Sequence, residues 1–166
     1  MPDRRAELYR ECVDVLLTKW DAKRNIRRRR NFKPDQKRQL LAEVAWHFHQ
    51  QGRRYFPEQD LLTEIAHFLP ALGLSTEDNR QVLQEITSEN GLLKEQARGW
   101  YGFLHLTLQE YFAATAVDVN DQSRFSTLVS QYADPWWEEV LLLYAGQTPD
   151  ASHLLICLLG KDSTNP

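Results

Sequence analysis

Cysteine is nearly missing from this chain: its 166 residues hold two, Cys12 and Cys157, far apart and each within an apolar stretch. That spacing excludes a disulfide framework and a paired-thiolate zinc site, and it fits a reducing cytoplasm. Long apolar runs are missing too, none approaching the roughly 20 residues of a membrane span. The N-terminus carries Asp3, Arg4, Arg5 and Glu7 where a signal peptide would need an apolar core. Catalytic signatures are likewise lacking, with no GxSxG, no HExxH and no paired CxxC. Gly160-Lys161 is followed by Asp162, and Leu155 stands where a P-loop needs its first glycine, so that phosphate cradle is missing as well. No catalytic residue and no metal ligand is assigned, and the chain by itself is expected not to be an enzyme.

What is present is enough apolar material for a core. Hydrophobic residues make up 42% of the chain, ordinary for one domain or two small packed units. The net charge of −3 conceals an asymmetry. Residues 1–38 hold 13 Lys and Arg against 6 Asp and Glu, and the remainder holds 7 against 17, so the two parts can attract each other. The run Arg27, Arg28, Arg29, Arg30, continued by Lys33, Lys37 and Arg38, is a candidate polyanion contact, because clustered cations release counterions on binding. It lacks interleaved aromatics, and a solvated linker between helices is the simpler expectation.

Periodicity predicts a mainly α chain. A first helix fits residues 6–19, with Leu8, Cys12, Val15 and Leu16 along the side facing the core. A second, over 34–51, buries Leu40, Leu41, Val44, Ala45 and Phe48 and stops at Gly52. Phe56-Pro57 marks a corner, and a third helix covers 58–69 before Pro70 and Gly73. A fourth, over 76–89, turns Val82, Leu83 and Ile86 inward behind a cap at Ser75. Residues 92–103 then change texture, with short apolar pieces on either side of Gly99 that read as a small β-hairpin. Three helices and a hairpin make a winged-helix module. Beyond it lie a helix over 123–133 and an antiparallel pair over 135–145 and 149–159, introduced by Asp134-Pro135 and Thr148-Pro149; such a pair can begin a helical repeat array.

Other polar groups carry less. His47 and His49 are two apart on a helix, the wrong spacing for a shared metal, and are expected at the rim around Phe48. Glu138 and Glu139 suit a helix start. In the fourth helix Glu77, Asp78, Glu85 and Glu89 outnumber Arg80, a surface that duplex phosphate would repel.

The most informative stretch is FLHLTLQEYFAA, Phe103 to Ala114. Leu104, Leu108, Tyr111, Phe112 and Thr115 fall at helical intervals, and His105 and Gln109 lie four apart on a neighbouring stripe at the helix start, beside unpaired N–H groups suited to a phosphate. The run closely resembles the segment that closes the winged-helix region of NACHT-type STAND nucleotide switches, Phe-x-His-x-x-x-Gln-Glu-Tyr/Phe-Phe-Ala-Ala. Phe103, His105, Gln109, Glu110, Tyr111, Phe112, Ala113 and Ala114 match it, and the resemblance extends upstream over about the first 117 residues.

The resemblance implies a piece of a larger switch protein. Residues 1–33 would end a helical subdomain and add a basic linker, 34–117 would be the winged-helix module, and 118–166 would begin a second helical region. His105 would reach the β-phosphate of ADP held by the nucleotide-binding core of the same polypeptide, keeping the resting state closed until exchange for ATP or GTP frees the module for self-association. Gln109 would brace the helix or hairpin, Glu110 would pair with a cation, and Tyr111 and Phe112 would anchor the core. The fragment alone would bind no cofactor. Two other readings of the residues stand beside this one: a free-standing winged-helix DNA binder using the 27–38 basic tract, and a helical interaction module docking through Trp136-Trp137.

Overall fold

The computed structural model describes residues 2–23, 33–87, 91–118 and 121–162. Helix α1 (Pro2–Lys23) is followed by α2 (Pro34–Gln50), whose entry is set locally. Pro34 occupies the first helical turn, and the Gln36 side chain accepts from the Lys33 N–H at 2.7 Å. Gln36 also donates to the Leu72 carbonyl at 3.0 Å, tying the helix to the turn that ends α3 (Glu58–Phe68). Every apolar residue expected to face inward from α2 is buried, and Lys37, Trp46 and His49 are buried with them. The helix is central, packed against α3 and against α5 (Leu106–Thr115).

The hairpin is present as β2 (Leu93–Ala97) and β3 (Trp100–Phe103), turned at Gly99 with φ +73° and bulged between Glu95 and Ala97. A third strand joins it. β1 (Phe56–Pro57) pairs antiparallel with β3, Phe56 opposite Tyr101, giving the order β1-β3-β2. The dipeptide read as a corner is thus an edge strand, a sheet position where proline's missing donor is tolerated. Behind the sheet, Phe56 stacks on Phe48 with centroids 3.9 Å apart. The fourth helix starts as a 3₁₀ turn at Thr76–Asp78 and continues as α4 (Asn79–Thr87), with Val82, Leu83 and Ile86 buried as expected.

The N-terminal stripe is corrected. α1 buries Ala6, Val13 and Leu17, whereas Leu8 and Val15 are 57% and 48% exposed and Cys12 also faces outward. Both stripes have helical spacing; contact with α7 (Glu138–Gln147) selects the one with smaller side chains at its N-terminal end. The C-terminal helix starts also shift. Asp134 accepts from the Trp136 N–H at 2.9 Å and so caps a turn that precedes α7, and Asp150 accepts from Ser152 at 2.8 Å at the start of α8 (Ser152–Asp162). α7 packs broadly on α1 and α5, and α8 leans on α6 (Gln122–Ser130). One continuous hydrophobic core runs from Ala6 to Leu154.

Candidate functional site

The site is built at the point where sheet gives way to helix. Pairing of β3 with both neighbours holds residues 100–103 extended, and the Leu104 N–H donates to Leu92 O at 2.9 Å, so the chain cannot turn helical at Phe103. The helix begins instead at Leu106, with His105 as N-cap at φ −135°, ψ 146°. His105 is therefore outside the helix, and Leu104, assigned to the core stripe from spacing, is exposed. The His105 carbonyl accepts from Leu108 and Gln109, while its exposed ring makes no capping hydrogen bond. Leu106 and Thr107, in the first turn, have N–H groups without intrahelical acceptors. Phe103 below them is buried, as are Tyr111 and Phe112, whose rings lie 5.5 Å apart.

Gln109 does not share His105's exposure. It is fully buried, and its Nε2 donates to the Arg53 carbonyl at 3.0 Å and faces His49 Nδ1 at 3.5 Å. Its Oε1 has no hydrogen-bond partner among the described residues. His49, expected at the rim, is fully buried. Its Nε2–H donates to Trp136 O at 3.1 Å, and Trp136 Nε1–H donates back to His49 O at 2.9 Å. The two rings stack at 4.5 Å, with Trp137 edge-on to the imidazole at 4.7 Å. Burial lowers the His49 pKa to about 4 against the smaller pull of the Trp136 bond and Asp134, so the ring is neutral, with Nε2 as donor and Nδ1 as acceptor. The signal for its burial was in the sequence: His49 lies four residues after Ala45 and eight after Leu41, inside the buried stripe of α2.

Glu110 is 8% exposed and makes no ion pair among the described residues. The pairing with a cation expected for it is not formed among the described residues, and nearby Arg5 pairs with Glu139 at 3.0 Å. Burial, then the field of Glu139, raises the Glu110 pKa to about 7, with Arg5 and Arg54 opposing. Burial thus favours the protonated carboxyl over the charged one at this position.

The arrangement of three helices and a wing, closed by this motif, agrees with a family comparison. The model of the winged helix-turn-helix domain C-terminal to NACHT matches residues 5–117. The chain belongs to this family. No curated protein and no solved structure matches it. A NACHT-associated winged-helix domain is not itself the catalytic NTPase module.

The domain's remaining charged surfaces are less suited to a ligand. Arg27 to Arg30 lie outside the described residues. Within the same basic tract, Lys37 is buried and paired with Glu85 at 3.5 Å, and Arg38 pairs with Asp14, so two cations counted toward polyanion binding are engaged internally. On the helix that would enter a DNA groove, Arg80 faces Glu58 at 3.7 Å. At the wing, Glu95 accepts from the Gly99 N–H at 2.8 Å beside exposed Lys94 and Arg98. Trp136 and Trp137, the other docking candidates, are half-buried and buried. Among the described residues no helix is long and apolar enough to cross a membrane.

Proposed function

We propose that this NACHT-associated winged-helix domain is the regulatory portion of a signal-transduction NTPase, acting as a lid over a nucleotide held by the core of the same polypeptide. The observation that carries this reading is His105: an exposed imidazole at the N-cap of α5, beside first-turn N–H groups, at the histidine of the matched motif. An imidazole there donates to a phosphate oxygen, more strongly when protonated, and the helix N-terminus adds a favourable field. Buried Phe103 and Gln109 hold the backbone on either side, so the ring is offered from a rigid base.

In this reading the lid packs on the core while ADP lies beneath His105 and departs after exchange for ATP or GTP, uncovering surfaces for self-association in the cytoplasm. The mechanism is differential contact. A ligand held equally by both states would shift nothing, and only the state that places His105 against phosphate is favoured by ADP. The test is His105→Leu in a polypeptide carrying both the nucleotide-binding core and this domain. Loss of one charge-assisted bond, worth about 1.5–3 kcal/mol, predicts ADP release faster by roughly 10- to 100-fold, together with increased assembly by light scattering. Unaltered ADP release would reject the lid.

A further inference from the structure

The buried polar contacts around His49 serve no phosphate, yet they join three separate elements. Gln109 lies one turn after His105 on α5, His49 is in the last turn of α2, and Trp136 is in the turn that leads into α7. We propose that His49, Gln109 and Trp136 form a joint coupling the helix behind His105 to the C-terminal helices, so that α7 leaves the winged-helix module only when this relay breaks.

The hydrogen bonds specify one arrangement. Trp136 reaches α2 through two bonds in opposite directions, a carbonyl accepting from the imidazole and an indole donating to the His49 carbonyl, so a slide of the turn loses both together. The imidazole can donate toward Trp136 only as the Nε2–H tautomer, which leaves Nδ1 as the acceptor that faces Gln109. Gln109 in turn is oriented by its bond to Arg53 O. Purely apolar packing would tolerate such a slide, because dispersion and area burial are non-directional.

The joint also departs from maximal stability. Gln109 Oε1 is buried without a hydrogen-bond partner among the described residues, so its desolvation is not offset in the packed state. A contact that holds one defined geometry around an unfilled acceptor is suited to opening. In the switch proposed above, Gln109 becomes the positioning residue through which displacement of α5 reaches α7. That consequence rests on the reading of His105; the joint itself does not.

Amide hydrogen exchange on the 166-residue chain tests it without nucleotide. Trp136→Phe keeps a ring to stack on His49 and removes the indole donor with part of the fused ring, and Gln109→Met keeps the volume and removes the amide. In each, the α7 amides are expected to exchange at least about tenfold faster while α3, β2 and β3 stay within about twofold of the parent. In Gln109→Met the His49 Nδ1 ¹⁵N shift should also move, because the amide donor that faces it is lost while the Trp136 carbonyl still selects the Nε2–H tautomer, a change confined to one ring nitrogen that general loosening would not produce. Unchanged α7 protection overturns the joint, as does an equal loss of protection in every element. Should Gln109→Met not fold, Trp136→Phe decides by the same readings. A failed ADP-release test leaves these outcomes intact, so the two proposals fail separately.

Discussion

His49 and Glu110 titrate in opposite senses at neighbouring points where α7 is held. His49 has its pKa lowered from 6.5 to about 4, so the unfolded chain binds the extra proton between those values; its stabilising contribution is full above 6.5 and is lost as pH falls toward 4. Glu110 has its pKa raised from 4.5 to about 7, so the folded chain binds the extra proton; its contribution is full below 4.5 and is lost as pH rises toward 7. Between about 4.5 and 6.5 the two slopes oppose each other, and Glu110→Gln should unmask the histidine. Urea midpoints of this variant are expected to climb from pH 4.5 to 6.5 and to exceed the parent's by a margin that widens up to about pH 7. Midpoints running parallel to the parent's at every pH would show that Glu110 is not held protonated. The Glu110 shift was not readable in advance. Gln109 and Glu110 are adjacent polar letters in a helix, and only the packing of α2 and α7 against α5 buries both.

Element boundaries followed hydrogen-bond pairing across the sheet more closely than they followed helical spacing. The motif's apolar period extends back to Leu104, yet the β3 ladder keeps the chain extended through Phe103 and puts His105 at the N-cap. β1 was invisible because two residues carry no alternation; its partner supplies the reason for it. The strand depends on Gly102, where an added Cβ would lie 2.9 Å from Tyr55 Cδ1 and 3.0 Å from the Arg54 carbonyl oxygen. Gly102→Ala is therefore expected to destabilise by about 1–3 kcal/mol through overpacking, with the sheet amides losing protection first. Gly99→Ala meets open space at φ +73° and should lose only about 1 kcal/mol, for backbone strain. Equal effects of the two in chemical denaturation would remove the steric argument. Another inter-element tie, the bidentate pairing of Arg124 on α6 with Glu43 on α2 at 2.8 and 2.6 Å, was also beyond a sequence reading, since its partners are 81 residues apart.

At the scale of the whole molecule, the segment assigned to a preceding subdomain shares its core with the last helices. Val13 of α1 is fully buried in the cluster that also contains Val140 and Leu143 of α7. Val13→Asp would place an uncompensated carboxyl there, at about 3–5 kcal/mol. Hydrogen exchange should then rise in α7 as well as α1; a rise confined to α1 would mean that the two pack independently. The exposed stripe left on α1 and the apolar Leu155, Ile156 and Leu159 exposed on α8 lie at the two ends of the described chain.

The sequence by itself determined the helical class, the inward face of α2, the hairpin and the family motif, because these depend on periodicity, turn chemistry and residue identity within one short window. Tertiary structure alone decided which of two stripes α1 buries, where α5 begins, that β1 exists, and that His49 meets both Gln109 and Trp136. Each of those outcomes turns on a partner distant in sequence, and desolvation and hydrogen-bond satisfaction are properties of the packed neighbourhood.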